Sequence, residues 1–296
     1  MMTLSSNIDR LAAAIDAVHT GETIGYDLSG IALRGINLDH LDMHGACLRD
    51  ADLSGCSLRG AFLKGADLNG ANLSNCNLKD VVLDSAQMMH CNLRGSNLAN
   101  AILFGADLSW ADLSHALLFG AQLNGANLAG AIFKGAKLKN ACFQSANLYH
   151  VNLSGLNLSG VDFIDADLSG ANISGCYLYQ KKNKGDTSHT HVNMEGADLR
   201  GTNLQGSQLF HSNMAGTNLS GANLYHSNLL ATILCCADLS RADLSHAKLL
   251  AADLSGSNLS GATLTGANLQ AADMTGADLD GVDLSGVDMK DVKKSA

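Results

Sequence analysis

The sequence predicts an all-β solenoid on three observations. A large apolar residue returns at every fifth position from Leu28 onward, a small residue stands two places before it, and proline is absent from all 296 residues. A period of five matches neither the 3.6-residue helix nor simple strand alternation, so the chain must turn after every short extended step. One such coil has too few contacts to stand alone and gains its core and backbone hydrogen bonds from the coils beside it. Proline would delete one of those bonds, which accounts for its absence.

The register is long and strict. From Leu28 to Leu178 the large residue returns 31 times without a miss, and after an interruption it resumes at Met194 and recurs to Met289, 20 times more. These 51 repeats take up 255 residues, and the central residue is always Leu, Met, Phe or Ile. The position two before it is small, as at Ala51, Cys56, Ala66, Ser96 and Thr202; Asp or Asn stands between them, and Ser-Gly often follows. With only 13 aromatic residues, a core built around large rings is excluded. The net charge of −9 argues against a general phosphate-backbone binder.

The Ala-Asp/Asn-Leu-x-x pattern, as in Ala-Asp-Leu-Ser-Gly at 166–170, resembles the pentapeptide-repeat family over most of the chain. That resemblance implies a right-handed quadrilateral β-helix with four repeats to a coil and the central and small residues inside. The repeats would then form about 13 coils, a rod on the order of 60 Å long. Residues twenty apart would stack in surface ladders.

In chain order, residues 1–25 are expected to form a capping helix and linker. Ser6 with Asp9 resembles a capping box, and Ile8, Leu11, Ile15 and Val18 fall at helical spacing before Gly21. The larger inward residues Ile31, Ile36 and Leu41 suit a wider first coil beneath it. Residues 26–180 are the first repeat segment, 181–191 a projecting insertion, 192–291 the second segment and 292–296 a tail. In the insertion Lys181, Lys182 and Lys184 form a basic cluster, with His189 and His191 beside it, on an otherwise acidic chain. Val282 and Val287 enlarge the small position near the C-terminus with no comparable cap after them, which leaves an end suited to head-to-head homodimer pairing.

Two surface ladders are apolar. Phe210, Leu230 and Leu250 occupy the outward position after the central residue, with Tyr179 preceding them across the insertion; Phe62, Val82 and Ile102 occupy the one before it, with Phe104 alongside. An acidic surface is offered by Asp253 with Asp273, and by Asp278, Asp283 and Asp288. His40, His90, His115, His150, His211, His226 and His246 share one outward position, where a parallel row reads as solvated corners rather than converging metal ligands. Cys56, Cys76, Cys91 and Cys176 take the small inward slot as apolar filler, and Cys235 and Cys236 lie outward. No nucleophile–base set, phosphate loop or metal motif rises above the repeat, so neither catalysis nor a cofactor or metal is expected. Leu108→Asp is expected to disrupt the stack and Asp107→Ala to be nearly silent.

These readings converge on a non-catalytic scaffold for protein partners. The resemblance adds two alternatives: a DNA-mimicking binder of gyrase or topoisomerase IV, and a secreted bacterial effector. Direct nucleic-acid and membrane binding are not expected. The N-terminus lacks the pattern of an export signal and no stretch approaches membrane-span length, so a cytoplasmic location is expected.

Overall fold

A computed structural model of the chain describes residues 4–19, 27–177, 179–181 and 189–294, with side chains described for 6–13, 27–177 and 192–294. The chain divides into two compact units, Met1–Cys142 and Phe143–Ala296. Each is a right-handed quadrilateral β-helix.

In the first unit the outward residue before each central position pairs in parallel with the residue twenty further on, as in Asp27↔Cys47↔Asp67 and Ala32↔Asp52↔Asn72. The backbone explains why. The Leu28 N–H donates to the Cys47 carbonyl at 2.8 Å, and the Asp52 N–H returns to the Ile31 carbonyl at 2.7 Å. Each corner closes on itself, with the Ile31 N–H reaching the Leu28 carbonyl at 3.1 Å around Ser29 and Gly30. Gly30 has φ +63°, the left-handed third residue of a type II turn, so glycine in the last place of the repeat relieves a steric penalty.

The Asp or Asn of the repeat serves the same corner. Its side chain accepts the N–H of the first turn residue, as Asp107 does from Ser109 at 3.0 Å. Asp107 also accepts from the Asn127 amide one coil on, at 3.1 Å. This corrects the expectation that Asp107→Ala is silent: the substitution removes two hydrogen bonds. Inside, Leu108 and Ala106 are fully buried, as the assignment of inward positions requires.

Helix α1, Leu4–His19, lies against the first coil of this unit. The Asn7 amide donates to the Ala32 carbonyl at 3.1 Å, Arg10 donates to the Asp27 carbonyl at 3.0 Å, and Leu11 is buried. Two details differ from the sequence reading. The helix begins before Ser6, so Ser6 is not its N-cap, and Ile8 is turned outward while Asn7 is buried. Asn7 and Leu11 are four apart and share the inward face, and the amide saturates a terminal carbonyl that an isoleucine could not. The side chains of Ile15 and Val18, and Gly21, lie outside the described residues. Beneath the helix Ile31 is buried, while Ile36 and Leu41 are half-buried.

The second unit repeats the pattern, with Phe143 and Phe163 stacked in its interior at 5.3 Å. It also accommodates the insertion. Asp162↔Asn193, Asp167↔Asp198, Asn172↔Asn203 and Tyr177↔Gln208 pair at a separation of 31 residues instead of twenty, after which the twenty-residue step returns. The extra residues therefore leave the coil without disturbing the stack. They depart as an antiparallel pair, β1 (Tyr179–Lys181) and β2 (His189–His191), with Tyr179 opposite His191. At the far end Leu279, Val282, Leu284 and Val287 are only half-buried.

Candidate protein-interaction surfaces

In the first unit Phe62, Val82 and Ile102 form a continuous parallel ladder between Asp42 and Gln122. Phe62 is 50% exposed, whereas Val82 and Ile102 are half-buried by the rows on either side. Phe104 flanks the ladder at 44% exposure. The fold adds Phe119, which sequence reasoning missed. Its carbonyl receives the Asn100 N–H at 2.9 Å, which sets Phe119 at the corner leading into this face, and the ring is 42% exposed. The signal was an aromatic directly after a central leucine one repeat before Gln122. Trp110, also missed, is 61% exposed at a left-handed corner with φ +60°. Its indole lies across Gly130, where an added Cβ would meet Cε3 at 2.6 Å.

In the second unit the corner column is also formed. The His211 N–H donates to the Leu230 carbonyl and the Ala231 N–H to the Leu250 carbonyl, both at 2.9 Å, which stacks Phe210, Leu230 and Leu250 half-buried along one edge. The pair β1–β2 departs from this same edge, because Tyr177 pairs with Gln208 immediately before it. The side chains of Tyr179, Lys181, His189 and His191, together with Lys182 and Lys184, lie outside the described residues. Tyr177, exposed on the adjoining face, was not singled out from the sequence. A surface groove of about 550 Å³ opens beside Leu230 and Leu250.

The histidines have a steric role that their shared position only hinted at. His40, His90, His115, His150, His211, His226 and His246 all sit at left-handed corners with φ between 56° and 60°. Several lean over the glycine twenty residues on: a Cβ at Gly60 would lie 2.7 Å from Nδ1 of His40, and at Gly266 2.6 Å from that of His246. Where the next residue is itself histidine, the rings stack: His226 and His246 lie 4.9 Å apart at 19°.

Of the acidic set, Asp253 and Asp273 share a ladder, and Lys293 reaches Asp273 at 3.2 Å. Asp278, Asp283 and Asp288 belong to successive repeats and so stand on three different faces. Hydrogen bonds from Thr275 hold the Asp273 carboxyl below its ordinary value, and those from Ser285 do so for Asp283. All eight cysteines carry free thiols. Burial pushes Cys76 and Cys176 up to about 12, and raises Cys91 further and Cys56 in the same direction. Among the described residues no group of three or more His, Cys, Asp or Glu is placed to hold a metal ion. Among them, too, no helix is long and apolar enough to cross a membrane.

A solenoid of five-residue steps with ladders on its faces defines a repeat-scaffold class. The model of one family, pentapeptide repeats, matches in eight copies at residues 25–55, 46–84, 83–118, 116–155, 141–180, 186–214, 212–249 and 252–291. The chain belongs to the pentapeptide-repeat family. Among solved structures it is similar to HetL, a pentapeptide-repeat protein involved in heterocyst differentiation regulation from the cyanobacterium Nostoc sp. strain PCC 7120. That match has 31% identity over 84% of this chain and 90% of the other, with a TM-score of 0.38. It is also similar to Rfr23 from the cyanobacterium Cyanothece 51142, at 27% identity over 48% of this chain and all (100%) of the other, TM-score 0.33. A third is full-length QnrB1, a plasmid-mediated fluoroquinolone resistance protein, at 19% identity over 89% and 91% of the two chains, TM-score 0.25. A search of curated proteins returned no match.

Proposed function

We propose that the chain is a non-catalytic scaffold that presents ladders on its β-helical faces to protein partners. The carrying observation is the Phe62–Val82–Ile102 ladder with Phe104 and Phe119 beside it, a stacked apolar row with three exposed rings on a surface whose outward positions are mostly Asp, Asn, Ser and Gly. Aromatic side chains on a stiff backbone lose little conformational entropy on binding, which makes them effective anchors. The Phe210–Leu230–Leu250 edge, from which the pair β1–β2 departs, offers a second such surface. The test is capture of a partner on the immobilised intact chain, followed by titration of the purified partner. Phe62→Ser/Ile102→Ser or Phe210→Ser/Leu230→Ser/Leu250→Ser should weaken binding at least about tenfold, the loss of roughly 1.4 kcal/mol. Retention unchanged in both variants and after deletion of the insertion overturns the reading.

A second reading is supported by the paired carboxylates Asp253 and Asp273, whose neighbouring charges suit a partner with a basic surface, such as the DNA-binding surface of a type II topoisomerase. Inhibition of gyrase supercoiling, relieved by salt and lost in Asp253→Asn/Asp273→Asn, supports it; no inhibition by the intact chain overturns it. The half-buried apolar residues of the last coil suit pairing of two copies through that end. Sedimentation equilibrium decides: a dimer abolished by Val287→Asp supports the pairing, and a monomer at all concentrations removes it.

A further inference from the structure

The groove beside Leu230 and Leu250 is lined by one lysine and no carboxylate. Its floor is the ladder Gln208↔Asn228↔Lys248↔Asn268. The three carboxylates between Gln205 and Ala271 are Asp238, Asp243 and Asp253. All of them belong to other ladders, paired with Asn218, Asn223 and Ile233 respectively. Lys248 is exposed in the middle of this floor and forms no ion pair with any described residue. A chain of net charge −9 thus carries a groove lined by a cation and no anion, with Asp288 following Asn268 on the same ladder beyond the groove's end.

The two walls are chemically different. One is the stack of His226 and His246, stiffened by Tyr225, whose ring meets His226 edge-on at 4.3 Å and His246 at 5.7 Å. Each neutral imidazole carries one N–H donor and one acceptor nitrogen. The other is the pair Leu230 and Leu250, stacked one coil apart. An occupant that satisfies both needs an anionic group for Lys248 and the imidazole wall, and an apolar group for the leucines. Nucleic acid does not fit, because a phosphate backbone is held by several cations and this face supplies a single lysine. An acidic polypeptide segment does fit, since it alternates carboxylates with apolar side chains at short spacing and can lie along an open groove.

We infer that this groove binds an acidic, leucine- or aromatic-containing peptide segment of a partner protein, its carboxylate on Lys248 and its apolar side chain on Leu230 and Leu250. This rests on the interaction-scaffold reading and names the partner chemistry for one of its surfaces. The charge complementarity would act as orientation and specificity, and the leucine wall as the main source of affinity.

The experiment is selection of phage-displayed random dodecapeptides on the intact chain, followed by fluorescence anisotropy with the enriched sequences made synthetically. Enriched peptides should combine Asp or Glu with Leu, Ile, Phe or Trp. Their affinity should fall about tenfold in Lys248→Glu, in Lys248→Gln to a lesser degree, and in Leu230→Ser/Leu250→Ser, and should weaken with added salt. Lys248 is on the surface, so its variants retain the wild-type melting temperature. Enrichment of basic peptides, or of acidic peptides indifferent to Lys248, overturns the inference. Peptides lost instead with Phe62→Ser/Ile102→Ser overturn it while leaving the scaffold reading intact. Failure to enrich any peptide counts against both.

Discussion

Gly266→Ala tests the corner packing that builds the histidine wall. Two costs act at this position. The backbone is left-handed at φ +68°, where an L-residue is disfavoured by roughly 1 kcal/mol. In addition the new Cβ would stand 2.6 Å from Nδ1 and 2.8 Å from Cε1 of His246, so the imidazole must leave its rotamer and its stack on His226, about another 1 kcal/mol. Gly221→Ala is the matched control. It has φ +66° and nothing within 4 Å of the added atom, so it carries only the first cost. In urea denaturation, Gly266→Ala should therefore be about 2 kcal/mol less stable than wild type and Gly221→Ala about 1. In a His246→Ala background the excess should vanish, giving a coupling of about 1 kcal/mol between the two sites. Equal costs for the two glycine variants, or an excess that survives in His246→Ala, would refute the claim that the histidine rests on the glycine.

Four further outcomes are expected. Leu108→Asp should cost at least about 4 kcal/mol, because it removes a fully buried leucine and places a charge among apolar neighbours. Asp107→Ala should cost about 1 kcal/mol for its two lost hydrogen bonds. Thermal melts of the pair check both, and equal melting temperatures would refute the inward and outward assignment. The Asp198 carboxyl is held below 3.8 chiefly by the Arg200 side chain, with its backbone N–H adding to this. A depressed folded-state value stabilises the fold above pH 3.8, and that contribution is lost as the pH falls through the lower value. Asp198→Asn should accordingly show a shallower decline of its urea midpoint in acid than wild type. Finally, a thiol reagent at mildly alkaline pH should label exposed Cys236 in the native chain, while Cys56, Cys76, Cys91 and Cys176 react only after unfolding. Rapid native labelling of any of those four, read by peptide mass mapping, would contradict the stack.

The five-residue period determined a great deal by itself. It assigned Leu108 and Ala106 to the inside and Asp107 to the outside, and with the family resemblance it placed Phe62, Val82 and Ile102 in one column. Such assignments are legible because each repeat sees nearly the same surroundings, so local chemistry and position in the stack coincide. The residues 181–191 were recognisable as an insertion for the same reason. The ladders of the second unit pass over them and continue.

Only the tertiary structure decided what stands beside what. The capping helix turns Asn7 inward and Ile8 outward because an unpaired carbonyl at Ala32 awaits a donor, and hydrophobic spacing does not record that need. Phe119 joins the Phe62 face, and Leu230 with Leu250 comes to line a groove with His226, His246 and Lys248, because corners bring together residues from different repeats. The histidines are exposed corners, as their shared register position indicated, but the register alone does not show that His40, His115, His150 and His246 each lean over a glycine one coil on. The repeat specifies each step along the chain, whereas a surface for a partner is made across coils, by side chains whose neighbours the stack alone selects.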